Sequence, residues 1–247
     1  MNQSLSRHDP LASRNSEQIS SQINPCLIRL VYPLGCYAVM PLFFGQIEVI
    51  GRENIPKTGP AIVAPTHRSR WDALIIPHAV GRLVSGRDLR FMVTSDEYNR
   101  PIQGWFIRQL GGFPVNVARP GFGSLAHSIE LLSQGEMLVI FPEGGIVRDT
   151  KVHRLKRGVA RIALEVESGH PNRGVKILPI AVKYDSFYPS WGSNVTVKIG
   201  EPIDVANYSS ASMKKSSEKL IGALETSLRE LYEEPSHAIS MAIAQDF

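Results

Sequence analysis

The sequence predicts an α/β protein. We expect a single domain with a central mixed, largely parallel sheet of about seven strands covered by helices, plus an N-terminal membrane-associating segment. Strand-like and helix-like hydrophobic patterns alternate along the region 46–235, which is typical of strand–helix–strand units. The run 137–141 is apolar at every position, as in a central strand that is covered on both faces. A chain of 247 residues is also long enough to bury one large core without disulfides.

The first 45 residues precede this domain and divide into two parts. Residues 1–24 are polar and serine-rich and lack the apolar core of a secretory signal, so we expect a mobile tail. Residues 25–45 carry no charge after Arg29, but this stretch is shorter than the ~20 residues of a spanning helix, and Pro33 and Pro41 are expected to interrupt it. We interpret 25–45 as a monotopic segment lying in the membrane surface. A soluble segment packed on the core and a true membrane span are the alternatives.

Each element of the domain follows from its hydrophobic period. Strands are predicted where apolar residues alternate with polar ones or form a short run, over 46–51, 61–64, 89–93, 113–117, 137–141, 175–182 and 194–199. Helices are predicted where apolar residues recur every three or four positions or where proline and glycine mark the ends, over 72–83, 101–110, 122–134, 156–168 and 212–233. Pro114 indicates an edge strand or a strand start. Residues 236–247 give no clear signal, and we interpret them as a C-terminal tail.

The charge distribution limits the class of partner. The net charge is only +4, but basic residues outnumber acidic ones 10 to 5 between Arg52 and Arg119 and 8 to 3 between Arg148 and Lys176. This balance favours an anionic substrate or an anionic membrane surface. Nucleic acid is not expected, because the chain has no long basic run with interleaved aromatic residues. The two cysteines stand in no metal-binding or redox spacing, so we expect a reducing compartment and no metal site.

A histidine and an aspartate, His67 and Asp72, lie where the strand 61–64 gives way to a helix. Ligands of α/β proteins bind at the carboxyl ends of strands. A neutral imidazole accepts a proton from a hydroxyl when a carboxylate holds its other nitrogen protonated, so this pair could supply a general base and its orienting acid. On a straight helix, residues five apart point about 140° apart, so the pair requires a bend. Alternatively, Ser69 and Asp72 form a capping box and His67 is a loop residue.

A second candidate group, Glu143, Gly144, Gly145 and Arg148, follows the predicted central strand. Glycines let backbone amides approach an anion closely, and arginine binds phosphate through paired donors. The same composition is common in turns, so on its own it leaves a functional and a structural interpretation open.

Taken together, these motifs resemble the glycerolipid acyltransferases of the 1-acylglycerol-3-phosphate type, the PlsC-like family. Their order and spacing agree with the family over about 60% of the chain, and five weak motifs in order make a specific pattern. The motifs are His67-x4-Asp72, Gly111-Gly112-Phe113-Pro114-Val115-Asn116 with Arg119, Phe141-Pro142-Glu143-Gly144-Gly145, Leu155-Lys156-Arg157-Gly158, and Leu178-Pro179-Ile180.

The resemblance implies an enzyme that moves a fatty acyl chain from acyl-ACP or acyl-CoA to the free hydroxyl of 1-acyl-sn-glycerol 3-phosphate (lysophosphatidic acid), forming phosphatidic acid. It implies that His67 is the general base, that Asp72 orients it, and that no acyl-enzyme forms. It implies no cofactor beyond the thioester co-substrate, and attachment to the cytoplasmic face of a membrane. The substrate-binding residues that it implies are Glu143, Gly144, Gly145, Arg119, Arg148 and Lys156.

The chain also departs from the family pattern. The third motif usually continues Gly-Thr-Arg-Ser, whereas here the arginine, Arg148, comes two positions later, and Arg119 is displaced similarly. Solvated loop arginines are therefore an alternative for both, and the first turn of a helix is one for Lys156. Two other functions stay open: the same chemistry on glycerol 3-phosphate or another lysolipid, and a non-catalytic lipid-binding protein with this fold.

Overall fold

We describe a computed structural model of the chain, which covers residues 19–116, 121–169, 173–210 and 212–233. Its centre is an eight-stranded sheet with the order β1-β7-β6-β2-β5-β3-β4, in which the short β8 pairs with β6. The strands are β1 (Ile47–Ile50), β2 (Ala61–Pro65), β3 (Leu89–Thr94), β4 (Gly112–Val115), β5 (Met137–Val139), β6 (Lys176–Tyr184), β7 (Val195–Ile199) and β8 (Ile203–Asp204).

The sheet is mixed and largely parallel, which confirms the predicted fold class. Five strand pairs are parallel, and only the pairs β6–β7 and β6–β8 are antiparallel. β5 lies in the interior between β2 and β3, as its apolar run predicted, and β4, which contains Pro114, is at the edge. The two-residue β8 was missed, because two residues show no hydrophobic period.

Helices cover both faces of the sheet. In chain order they are α1 (Pro25–Leu34), α2 (Met40–Phe43), α3 (Asp72–Val80), α4 (Arg82–Ser85), α5 (Ser95–Tyr98), α6 (Pro101–Gln109), α7 (Phe122–Ser133), α8 (Gly158–Gly169) and α9 (Met213–Glu233). Neighbouring side chains of a strand point to opposite faces, and they divide accordingly between two cores. Ile62 and Leu138 pack in one with α7, α8 and α9, and Val63 and Val139 pack in the other with α3.

The apolar N-terminal segment is a helix that continues through both prolines, so the expected interruption is wrong. A π-helical turn, Gly35–Val39, follows Pro33 and links α1 to α2. Such a turn accommodates a break in the regular hydrogen-bond ladder. Pro41 stands in the first turn of α2, where its missing N–H is not needed. By length and composition, 25–43 is the one helix among the described residues that could cross a membrane.

This helix lies against the domain along its length. The residues that it buries recur every four positions: Ile28, Tyr32, Cys36 and Met40. The opposite side exposes large apolar residues: Leu30, Leu34, Tyr37 and Leu42. One face of the helix therefore packs on protein, while the other is an apolar surface.

The end of the polar N-terminal segment contacts the domain. Ile23 forms a β-bridge with Leu110, the Asn24 N–H donates to the Gln109 carbonyl at 2.8 Å, and Ser21 Oγ lies 2.9 Å from His127 Nε2. We therefore group residues 19–24 with the domain rather than with the expected tail. Residues 1–18 and the expected C-terminal tail 236–247 lie outside the described part of the chain.

Candidate active site

The His67–Asp72 pair lies at the carboxyl end of β2, in the bend before α3. His67 Nδ1 is 2.8 Å from Asp72 Oδ2. Asp72 is the first residue of α3, and the non-helical stretch before it turns the histidine back towards the carboxylate. The predicted bend is therefore present and brings the two side chains into hydrogen-bond contact.

Asp72 is completely buried, and each of its oxygens has partners. Besides His67, Oδ2 accepts the backbone N–H groups of Arg68 at 2.6 Å and Ser69 at 2.9 Å, while Oδ1 accepts the Tyr184 hydroxyl at 2.6 Å. The bond from the Ser69 N–H is one of the two contacts of a capping box, but the reciprocal contact is not made: the Asp72 N–H donates to the Ser69 carbonyl at 3.1 Å, and Ser69 Oγ accepts the Trp71 N–H at 3.3 Å. The residue that precedes α3 is Trp71, which provides no side-chain cap. The capping box with Ser69 as N-cap is therefore only half formed, and the same carboxylate holds both the loop backbone and His67.

Tyr184 is a site residue that the sequence analysis missed. It ends β6, which pairs with β2 in parallel, so its hydroxyl reaches Asp72 from the neighbouring strand. Burial and the adjacent carboxylate of Asp72 raise the pKa of Tyr184. The phenol therefore stays protonated and donates its hydrogen bond. No sequence spacing indicates this contact, because the two residues are 112 positions apart.

The Glu143 carboxylate contacts the loop that carries His67 and does not face the cavity. Its Oε2 accepts the His67 N–H at 3.0 Å and a bond from Arg68 Nη1 at 2.7 Å, and its Oε1 accepts the His153 N–H at 3.2 Å. Both side chains of the Glu143–Arg68 ion pair are buried. Glu143 therefore holds the loop that carries His67, and it does not line the main cavity described below.

The Arg68 side chain is buried, with only 4% of its surface exposed. Its guanidinium also donates to the Lys151 carbonyl at 3.2 Å and lies 4.4 Å from the ring centroid of Tyr232. Burial opposes its charge, but the hydrogen bond and the negative charge of Glu143 outweigh burial and raise the pKa of Arg68. The guanidinium therefore keeps its charge, and its bond to Glu143 links the loops after β2 and β5.

His67 lines a cavity of about 1290 Å³. The imidazole stacks on the ring of Phe141, two residues after β5, with centroids 3.9 Å apart. This contact helps to fix the orientation of the imidazole plane. Gly144 and Gly145 also line the cavity next to His67. Gly144 has a φ of 77°, in the left-handed region that favours glycine. This turn therefore requires at least one glycine of the pair.

The cavity is apolar over most of its wall, and a group of basic residues lines it where α8 and α9 begin. Its apolar wall comes from α1, α3, β3, α6 and α7 and includes Val31, Leu74, Met92, Phe106, Ile107 and Leu125. Its basic residues include Lys156, Arg157, Arg161 and Lys214. Arg157 pairs with Glu218, and Arg161 pairs with Glu165. The cavity can therefore hold a long apolar chain and an anionic group at the same time.

The structure separates the predicted substrate-binding residues. Lys156 lines the cavity and precedes α8 instead of lying in its first turn. Arg148 lines a different groove, together with Arg68, Lys151 and Lys183. Arg119 lies outside the described residues, so its predicted role stays a prediction. In the described ranges no group of three or more His, Cys, Asp or Glu side chains could hold a metal ion.

Comparisons with known proteins identify the family of the chain. The sequence profile of the family described as Acyltransferase matches residues 46–183. The 1-acyl-sn-glycerol-3-phosphate acyltransferase of Bacillus subtilis is 28% identical over 193 residues, which cover 76% of this chain and 88% of that protein. The chloroplastic enzyme LPAT1 of Arabidopsis thaliana is 27% identical over 170 residues, 65% of this chain and 44% of that longer protein.

A solved structure has the same fold. The crystal structure of the 1-acyl-sn-glycerophosphate (LPA) acyltransferase PlsC from Thermotoga maritima matches with a TM-score of 0.62 and 26% identity, over 85% of this chain and 81% of that one. The profile match covers more than half of the chain and includes His67, Asp72 and Glu143. The chain therefore belongs to the acyltransferase family, as a PlsC-like O-acyltransferase.

Proposed function

We propose that this enzyme transfers a fatty acyl chain from an acyl thioester, acyl-ACP or acyl-CoA, to the free hydroxyl of 1-acyl-sn-glycerol 3-phosphate. The product is phosphatidic acid. The observation that carries the proposal is that His67, bonded to the buried Asp72, lies on the wall of a large cavity that is mostly apolar and is lined by basic residues from the start of α8 and α9. A lysophospholipid and an acyl donor need such a combination.

In the proposed mechanism, His67 is the general base. Asp72 accepts a hydrogen bond from Nδ1–H, which leaves Nε2 to take the proton of the acceptor hydroxyl. The hydroxyl oxygen attacks the thioester carbonyl directly, the C–S bond breaks, and the leaving thiolate takes up the proton that His67 removed from the hydroxyl, which returns His67 to its neutral form. The carboxylate of Asp72 stabilises the imidazolium that forms during the attack.

The surrounding residues have supporting roles in this proposal. Gly144 and Gly145 shape the cavity beside His67, and Lys156 contributes positive charge for the acceptor phosphate. Glu143 is assigned a positioning role, because its oxygens are bonded to the protein behind His67. Arg148 is not assigned to the acceptor phosphate, since it lines a separate groove.

We also propose that the protein is monotopic and lies on the cytoplasmic face of a membrane. Its N-terminal helix packs one side on the domain and exposes apolar residues on the other, as a helix in the plane of the surface does. The basic residues at the cavity favour an anionic leaflet.

A different acceptor is the second candidate. The position of Arg148 away from the cavity favours it, because an acceptor phosphate held at the cavity would lack this arginine. Glycerol 3-phosphate and other lysolipids are the acceptors to compare with lysophosphatidic acid.

The test is acyl transfer from a labelled thioester to lysophosphatidic acid in mixed micelles, with wild type beside His67→Ala. We expect labelled phosphatidic acid from wild type and a loss of about 10²–10⁴-fold in the variant. Product that survives His67→Ala would contradict the mechanism. If another acceptor is used instead, the chemistry holds and the acceptor assignment moves. If no acceptor is used, a lipid-binding protein is the better explanation.

A further inference from the structure

The loop between β6 and β7 exposes three aromatic side chains. Phe187 is 54% exposed, Tyr188 72% and Trp191 68%. Aromatic rings that face solvent bury little apolar area, so these three side chains add little to the stability of the core. Tryptophan and tyrosine are the residues enriched where a membrane meets water, since their rings are apolar and their edges can hydrogen-bond.

This loop is attached to the end of the N-terminal helix. The Gly192 N–H donates to the Phe43 carbonyl at 2.7 Å, and the Gly45 N–H donates to the Ser193 carbonyl at 3.0 Å. The rings of Phe43 and Trp191 are in edge contact, with centroids 5.9 Å apart. The exposed rings of the loop therefore extend the apolar surface of the helix at its carboxyl end.

Cations lie beside the same rings. The Arg148 guanidinium is 4.8 Å from the ring centroid of Tyr188, and Lys151 and Lys183 line the same groove. Two carboxylates, Asp185 and Glu233, also line it, but each accepts a backbone N–H from a neighbouring segment. Exposed aromatic rings next to cations match the headgroup layer of an anionic bilayer, where apolar carbon lies below phosphate.

We infer that the loop 185–194 is a second membrane-contacting element, which lies in the headgroup region of an anionic phospholipid bilayer beside the N-terminal helix. The inference rests on the membrane association proposed above and names the residues that extend it. The loop starts directly after Tyr184, whose hydroxyl holds Asp72. The contact with lipid would therefore lie next to the catalytic pair, close to where a lipid acceptor must arrive.

The three tryptophans of the chain make the test specific. Trp191 is in the loop, Trp105 is on α6, and Trp71 packs between Phe43 and Phe44. Three full-length proteins that each keep one tryptophan, with phenylalanine at the other two positions, report on one place each. The probe is vesicles of phosphatidylcholine and phosphatidylglycerol whose acyl chains carry bromine, which quenches tryptophan fluorescence on contact.

We expect that vesicles shift the emission of Trp191 to shorter wavelength and that brominated lipid quenches it several-fold more than it quenches Trp71. Vesicle-bound protein in which Trp191 is quenched no more than Trp71 would overturn the inference. A shift that depends on protein concentration and occurs without vesicles would also overturn it, and would assign the loop to contact between two copies of the chain.

Substitution supplies an independent measurement. Phe187→Ser/Trp191→Ser is expected to weaken partition into the same vesicles about tenfold or more, because two rings no longer leave water. The matched control is Ile50→Ser, at an exposed apolar residue. β1 runs parallel to β7, and Ile50 pairs with Lys198 near the end of β7, whereas the loop precedes the start of β7. Ile50 therefore lies at the end of these strands away from the loop, and its loss should leave partition unchanged. Equal partition of wild type and the double variant would contradict the inference.

These outcomes are separable from the proposed reaction. Acyl transfer that depends on His67, without quenching of Trp191, would remove the loop assignment alone. Quenching of Trp191 in a protein that transfers no acyl group would keep the loop assignment and remove the enzymatic proposal.

Discussion

The Tyr184 hydroxyl and the Asp72 carboxylate are joined by a hydrogen bond of 2.6 Å. This bond occupies Oδ1, so Oδ2 is the oxygen that meets His67 Nδ1. Oδ2 also accepts hydrogen bonds from the backbone N–H groups of Arg68 and Ser69. The direction of the imidazole is therefore determined by a carboxylate that cannot rotate without breaking bonds to the end of β6 and to the loop after β2.

Tyr184→Phe tests this relationship. We expect kcat to fall about tenfold with KM unchanged, since the lost bond orients the base and does not touch the substrate. Steady-state kinetics with varied acceptor measures both constants. Tyr208→Phe is the control, because Tyr208 is also half-buried but packs against the core on the other face of the sheet. A rise in KM without a change in kcat would show that Tyr184 binds substrate instead.

Asp72→Asn is expected to lower kcat by about 10²–10⁴-fold, because an amide neither holds the imidazole in the same tautomer nor stabilises the imidazolium. It should also destabilise the protein by about 1–3 kcal/mol, since an amide N–H then faces buried donors. Single-turnover rates and urea unfolding measure the two effects. Asp149→Asn, in the exposed His153–Asp149 pair, is the control and should change neither by much.

The Glu143–Arg68 pair predicts a strong and coupled effect on stability. Glu143→Gln leaves the buried Arg68 charge without its partner, so the free energy of unfolding should fall by about 3–5 kcal/mol. The double variant Arg68→Met/Glu143→Gln should lose less than the sum of the two single variants. The exposed pair Arg161–Glu165 is the control, with an expected coupling of about 0.3–0.5 kcal/mol. Additive effects of the buried pair would contradict the assignment.

Lys156 and Arg148 should differ in their effect on acceptor binding. Lys156→Ala is expected to raise KM for lysophosphatidic acid about tenfold, because it removes a charge from the cavity wall. Arg148→Ala should leave KM nearly unchanged, since Arg148 lines the other groove. If instead only Arg148→Ala raises KM, the acceptor phosphate binds in that groove.

His78 should make stability depend on pH. Burial, and to a smaller extent Arg52, lowers the pKa of His78 below its ordinary 6.5. The unfolded chain therefore binds a proton at a higher pH than the folded protein does, so the stabilisation is complete above pH 6.5 and decreases as the pH falls below it. Thermal unfolding between about pH 5 and 8 should show a smaller loss of Tm on acidification for His78→Gln than for wild type. An unchanged dependence of Tm on pH in His78→Gln would rule out this group.

What could be predicted from sequence was local. The period of the apolar residues predicted the strands and most helices, because burial of one face imposes that period within a single element. The pair His67–Asp72 was predictable because both residues lie in one turn between β2 and α3. The prolines of the N-terminal segment misled the prediction, because a π-helical turn and a first-turn position accommodate them.

The fold class, the family, the proposed base His67 and its orienting acid Asp72 could all be inferred from the amino-acid sequence. The packed structure was needed to show that Glu143 faces Arg68 instead of the cavity, that Arg148 lines a separate groove, and that Tyr184 holds Asp72. These contacts join segments 75 and 112 positions apart. They depend on which strands become neighbours in the sheet, and the periodicity of a single element carries no information on that order.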